Sequence, residues 1–285
     1  MANIKIVKRR IKSAQNISQI TRAMEMVAAS KMKKAQETAI LGKPYAEKIY
    51  QVVSEFASRI DKKAHPLLSD GYSSGKILII MISTNKGLCG GLNTNLFRAI
   101  NNWWNQNDNL EFVTLGKKGS SFVTRTGKNL TADFSLERKF TESVSAVTKI
   151  MVDGFINHTY KEVYLVYNVF INALKQIPVK KRILPIRLAE ENLISKETES
   201  SEFLIEPGID EILEDLLPHY LENQLRTAIF ESEASEHSAR MIAMKNATDA
   251  ANDLTFELTL VYNKARQEKI TNEIADIVTA RMAVE

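Results

Sequence analysis

The segment STNKGLCGGLN, Ser83–Asn93, sets a lysine, a cysteine and three glycines between an apolar run and a helix-forming stretch. A strand-to-helix turn is where backbone amides can cradle a phosphate. The spacing, however, is neither GxxxxGK[ST] nor GxGxxG, and Lys86 precedes the glycines where a P-loop lysine follows them. A tight turn or contact surface fits better than a nucleotide site. Cys89 has no histidine near it in the sequence to activate it as a nucleophile. The four histidines, His65, His158, His219 and His237, lack ligand spacing, and one cysteine adds nothing to them. No Ser/His/Asp grouping emerges. The expectation is a chain with no catalytic residues, no cofactor and no metal.

Composition narrows the class. With 285 residues, 44% hydrophobic and 25% charged, the chain has an ordinary globular balance. Its longest apolar run, Ile77–Ile82, is far short of the roughly 20 residues a membrane span needs. Nothing at the N-terminus resembles a signal peptide, and a lone cysteine suits a reducing compartment. The net charge of +4 hides an asymmetry. Residues 1–34 carry nine bases against Glu25 alone, whereas residues 209–285 carry 15 acids against 7 bases. Opposite charge at the two ends makes their mutual pairing plausible, although exposed ion pairs contribute little each.

Periodicity divides the chain into four parts. Residues 1–60 read as one long helix, with apolar residues at Ile4, Val7, Ile11, Ala14, Ile17, Ile20, Met24 and Val27 as a packing seam. Residues 61–75 are rich in turn formers and read as a linker. Residues 76–208 alternate strand and helix patterns: strands at KILIIMIS, LEFVTLG, EVYLVYNVFI and KKRILPI, helices at NTNLFRAINNWW and ESVSAVTKIMVDGFINHTY. That alternation predicts an α/β domain with a mainly parallel sheet, closed by an acidic loop at 195–202. Residues 209–285 are helical again, with Pro218 marking a start, kink or junction. Their seam reads as Ala247, Ala251, Leu254, Leu258, Val261 and Ala265, continued by Ile270, Ile274 and Ile277. The 66 residues from Tyr220 to Glu285 hold no Gly or Pro, a rod of roughly 100 Å if helical throughout. The expected architecture is an antiparallel coiled coil of the terminal helices with the α/β domain inserted between them.

The basic first helix has three readings. It is a nucleic-acid arm, a solvated face beside a packing seam, or a helix facing acidic protein surfaces. The absence of aromatics before Tyr45 weighs against the first. Charge alone does not separate the other two.

Four segments carry a specific resemblance: IKIVKRRIKSAQNISQITRAMEMVAASKMKKAQ, STNKGLCGGLN, SEASEHSARMIAMKNATDAANDL and LVYNKARQEKITNEIADIV. In this order they resemble the gamma subunit of F-type ATP synthases. The match covers both ends and the start of the inserted domain, and is weaker from Glu111 to Glu206 apart from ILPI and FLIEPG. The resemblance implies a non-catalytic rotor shaft inside a hexamer of three alpha and three beta subunits. Its α/β domain would meet the epsilon subunit and the membrane c-ring. It implies no nucleic-acid partner, membrane contact through the c-ring only, and a peripheral place on the cytoplasmic face of a bacterial inner membrane. Ion-driven turning of the ring and shaft would carry each beta site through successive nucleotide affinities, reversibly for ATP-driven pumping. By motif, Met24 with nearby Arg22 corresponds to the shaft position facing the beta lever, and Lys86 to the basic residue meeting the same acidic region. Arg266 and Gln267 in ARQ, with Thr271 and Glu273 in ITNE, correspond to a polar patch engaging a beta loop. Arg240 in SARM belongs to the same contact system. Three positions depart from the pattern: Ala280 and Arg281 replace a usual Gly-Ala, and Asn85 replaces an aspartate before GLCGG.

Two other classes fit the bare residue pattern: a coiled-coil scaffold with no part in energy transduction, and a nucleotide-binding enzyme built on the α/β domain. Subunit co-purification separates the scaffold from the shaft, and ATP titration of the isolated chain tests the enzyme.

Overall fold

The structure, a computed structural model, describes residues 4–59, 65–69, 71–72, 74–105, 108–137, 139–187 and 208–283. Its elements are α1 (Ile4–Arg59), β1 (Lys76–Ile82), α2 (Leu92–Trp103), β2 (Leu110–Leu115), α3 (Lys117–Arg125), β3 (Asn129–Asp133), α4 (Val144–Ile156), β4 (Tyr160–Phe170), β5 (Gln176–Leu184) and α5 (Ile209–Met282). They fall into two compact units. One joins Met1–Ser30 to Arg240–Glu285, and the other is Lys31–Ala239. The division runs through both long helices.

In the larger unit the strand order is β3-β2-β1-β4-β5. The pairs β1–β2, β1–β4 and β2–β3 are parallel, and β4–β5 is an antiparallel hairpin at the edge. Alternation along β1 explains why both faces need cover. Ile77, Ile79 and Met81 pack with Leu96 and Ile100 of α2 and Val123 of α3. Leu78, Ile80 and Ile82 belong to the opposite core with Val144, Val147, Met151 and Phe155 of α4. The same core takes Ile49, Val53 and Phe56 from α1 and Leu213, Leu217, Leu221, Leu225 and Ile229 from α5. Those large side chains tie residues 31–59 and 209–239 to the sheet and explain why the units cut the helices.

Three sequence expectations need revision. Pro218 neither starts nor breaks a helix, since α5 runs unbroken through it. An interior proline costs about 3 kcal/mol. Burial of Leu213, Leu217, Tyr220 and Leu221 around it, at about 1.5–3 kcal/mol each, outweighs that. The segment after α1 holds more than turns: Pro66–Leu68 form a 3-10 turn, Leu67 and Leu68 are buried, and the Ile186 amide donates to the Leu67 carbonyl at 2.9 Å. Finally, α3 and β3 lay hidden in the sequence. They are short and polar, and no residue of the edge strand β3 is buried. The acidic stretch 195–202 lies outside the described residues.

One buried carboxylate carries a testable cost. Glu231 on α5 lies among Tyr167 of β4 and Lys181 of β5, with its Oε2 buried and unpartnered. Burial pushes its pKa up, and the Tyr167 hydroxyl and the Lys181 charge only partly oppose that. An acid raised on folding stabilises the fold below the ordinary carboxylate value and loses that contribution as pH rises through the folded value. Glu231→Gln is therefore expected to raise the melting temperature at neutral pH, with the gain shrinking toward about pH 4. Thermal melts across that range check it, and a variant less stable at neutral pH would contradict it.

Candidate functional site

Within the smaller unit, α1 and α5 are antiparallel. Ser18 Oγ donates to Asn252 Oδ1 at 2.7 Å, and the Thr21 and Thr248 hydroxyls meet at 2.7 Å. As α1 numbering rises by three, α5 numbering falls by four. Extending that register pairs Ala14 with about Thr255, Val7 with about Tyr262 and Ile4 with about Ala265. Beyond that level no described residue of α1 remains to face α5. Every described residue from Arg266 onward is accordingly exposed.

The register corrects the expected seam. On α1 the buried or half-buried line is Val7, Ile11, Ala14, Ser18, Thr21, Glu25 and Ala28, a heptad pattern with steps of four and three. Ile17, Ile20 and Val27, expected inside, are 49%, 60% and 56% exposed. On α5 the line is Met244, Thr248, Ala251, Thr255, Leu258, Tyr262 and Ala265, while Leu254 and Val261, each 47% exposed, face outward. The misreading has a physical origin. Hydrophobicity alone picks the isoleucines, whereas the 3.5-residue period that starts at Val7 selects the small and hydroxyl residues one position away. Ile270, Ile274 and Ile277, expected to prolong the seam, are exposed, with no described residue of α1 at their level.

The site residues are strung along the helices. Arg22 is exposed and Met24 half-buried, and two positions apart they point to opposite sides of α1. Half-buried Arg240 lies level with about Ser30. Arg266 is about 28 Å further along the axis than the level of Arg22. At that end Arg266 and Glu273 fall on one row, two turns apart, and Gln267 and Thr271 on another at least a quarter turn round the helix. The exposed isoleucines 270, 274 and 277 lie between and beside these rows. They are the contact candidates that motif matching missed, and only the register could have found them. Lys269 Nζ reaches Glu273 at 3.3 Å, a surface pair of small energetic weight.

Lys86 belongs to the larger unit, exposed on the turn between β1 and α2. That turn is knit from within. Asn93 donates from Nδ2 to Thr84 Oγ1 at 2.8 Å and to the buried Cys89 Sγ at 3.4 Å, and Thr84 Oγ1 donates to the Lys86 carbonyl at 2.7 Å. The first amides of the adjacent α3 are taken too: Lys117 donates to Asn85 Oδ1, Lys118 to the Thr84 carbonyl and Gly119 to Ser83 Oγ. A phosphate would have to displace these partners. A cavity of about 220 Å³ beside Tyr50, Tyr220 and β5 holds Lys181 and Arg182, whose charged groups already bind Gln224 at 2.6 Å and Glu162 at 3.5 Å. Among the described residues, no three His, Cys, Asp or Glu side chains are grouped to hold a metal, and no helix is long and apolar enough to cross a membrane.

A helix pair with a slim, partly polar seam and large apolar residues turned outward, in a chain that also folds a five-stranded α/β sheet unit, offers an extended surface for contact. The family model described as ATP synthase matches residues 3–284. The ATP synthase gamma chain of Legionella pneumophila strain Corby is 41% identical over the full length of both chains, and that of Dehalococcoides mccartyi strain CBDB1 is equally so. The rotor of Euglena gracilis mitochondrial ATP synthase shares the fold, with a TM-score of 0.65 at 20% identity over 94% of this chain and 98% of that one. So does the central stalk and c-ring structure of Tetrahymena thermophila mitochondrial ATP synthase, with a TM-score of 0.59 at 23% identity over 80% and 99%. The chain belongs to the ATP synthase gamma-chain family. It is a non-catalytic subunit of that complex.

Proposed function

We propose that the helix pair turns as an axle inside a ring of three alpha and three beta subunits, coupling rotation of a membrane c-ring to ATP synthesis on the beta subunits. The observation that carries this reading is the outward stripe of Ile17, Ile20 and Val27 on a chain with full-length gamma-chain relatives. An axle needs a coherent interior and an adaptable exterior, and an exposed methionine such as Met26 repacks against a housing at low cost. Rotation couples to nucleotide binding because an uneven surface interacts differently with each beta subunit, and only such differential interaction can shift a binding equilibrium.

Arg22, Met24, Lys86 and Arg240 supply contacts to the beta and alpha subunits along this path, while Arg266, Gln267, Thr271 and Glu273 engage a beta loop at the far end. The sheet domain meets the epsilon subunit and the c-ring. Residues 1–60 and 209–285 serve as the coiled-coil arms and residues 76–208 as the inserted domain. The complex lies on the cytoplasmic face of the bacterial inner membrane. Co-purification tests the assembly: the tagged chain should bring three alpha and three beta subunits per copy, and recovery of the chain alone from solubilised membranes would overturn it.

Met24→Lys places a new cation on the face assigned to the acidic lever, where a close pair is worth about 1–4 kcal/mol. Assembly is expected to survive while proton pumping per ATP hydrolysed falls. Simultaneous assays of both, returning the wild-type ratio, would remove Met24 from that role.

A further inference from the structure

The paired helices face inward with their weaker apolar residues. At the level of Ser18 and Thr21, rolling α1 by about one residue, 100°, would bring Ile17 and Ile20 into the seam, and a similar roll of α5 would bring Leu254. Burial of apolar surface favours that change. The buried apolar side chains described in this unit are Val7, Ala14, Ala28, Met244 and Ala251, and the alanines offer shallow knobs that do little to resist rolling or sliding. What distinguishes the observed setting is hydrogen bonding. Thr248 Oγ1 is 2.9 Å from the Met244 carbonyl, and Thr21 Oγ1 is 3.0 Å from the Ile17 carbonyl. With the 2.7 Å contact between them, one hydroxyl hydrogen always crosses the seam and the other satisfies its own helix. Ser18 to Asn252 adds a second crossing one turn away.

We propose that the Thr21–Thr248 and Ser18–Asn252 pairs are a roll lock: they fix the rotational setting and register of the two helices, so that Ile17, Ile20 and Leu254 stay on the outer surface. A polar pair inside a coiled-coil seam, as Thr21–Thr248 is, specifies register in this way at some cost in stability, and Ser18–Asn252 braces it at the exposed margin of the seam. The proposal rests on the axle reading for its purpose, because an axle transmits twist only if its strands neither roll nor slide under load. The lock itself is a property of the helix pair and is measured separately.

The test uses the assembled complex. Spin labels at Gln19→Cys and Asp249→Cys, both exposed and outside the lock, report the roll, and buried Cys89 stays unlabelled. The locked protein should give one narrow distance distribution. Thr21→Val with Thr248→Val preserves side-chain volume but removes the hydroxyls. It should raise the population at displaced distances about fivefold, the shift expected from one hydrogen bond of ordinary net strength. Each single variant should produce most of that change, since the pair acts as a unit. Thr21→Ser with Thr248→Ser should restore the narrow distribution. An unchanged distribution in the valine variant, or a broadening that serine does not repair, overturns the lock. Failure of the axle reading is seen elsewhere, in a complex that hydrolyses ATP without proton pumping, and leaves the distance measurement valid.

Discussion

Gly116→Ala is expected to remove a large share of the sheet domain's stability. Gly116 sits between β2 and α3 with φ of 109°, a conformation that side chains with a Cβ rarely adopt. A Cβ built there meets the Ser83 carbonyl oxygen at 2.2 Å, and Ser83 is fixed at the end of the central strand by its amide bond to the Leu115 carbonyl. Neither partner is a flexible side-chain tip, so the strand end or the helix must move. Strain and overpacking together amount to about 4 kcal/mol or more, a large share of a domain's stability. Denaturant unfolding of the purified chain measures this. Gly42→Ala supplies the contrast, because Gly42 lies inside α1 with open space around it. There alanine should add about 0.5–1 kcal/mol. Equal effects at the two sites would show that close approach is not what Gly116 provides.

The largest effect on turnover is expected from Arg266→Ala combined with Gln267→Ala. Both residues are exposed beyond the last described α1 residue that faces α5, so truncating them removes no packing among the described residues of the pair. Arg266 occupies one polar row and Gln267 the other, and the double variant therefore truncates side chains on both sides of the isoleucine stripe, where contact with a beta loop is proposed. Steady-state ATP turnover should fall by roughly thirtyfold or more, as loss of about 2 kcal/mol or more at a contact hot spot implies. Nucleotide binding by the beta subunits should be retained. A double variant turning over at the wild-type rate would show that the polar rows carry no load.

Much of the fold was legible in the sequence because its strongest periodicities are local. The buried strand at Ile77–Ile82, the helix at Val144–Ile156 and the two long terminal helices follow from residue pattern alone. What escaped depends on partners distant in sequence. The strand Asn129–Asp133 is held at the sheet edge by Asp133 accepting hydrogen bonds from Thr114 and Ser120, and nothing in its five residues announces that. Pro218 reads as a start, kink or junction because the cost of proline is local and the burial that carries the helix through it is not. The seam was mistaken for the same reason. Which face of a helix is inside depends on the register with its partner, and Ser18 and Thr21 gain their meaning only opposite Asn252 and Thr248. The proposed contact residues came from the motifs of the family resemblance, whereas the bare isoleucine stripe beside them became visible only from the level at which the described part of α1 stops facing α5.

The central claim, that this chain turns as an axle, is tested most directly by watching it. A bead attached through Leu174→Cys, an exposed position on the β4–β5 hairpin, would mark the chain in an immobilised complex of alpha, beta and this subunit, with Cys89 buried. The account predicts stepwise rotation of the bead in one direction on addition of ATP. A bead that stays still while the same complexes hydrolyse ATP at full rate would contradict it.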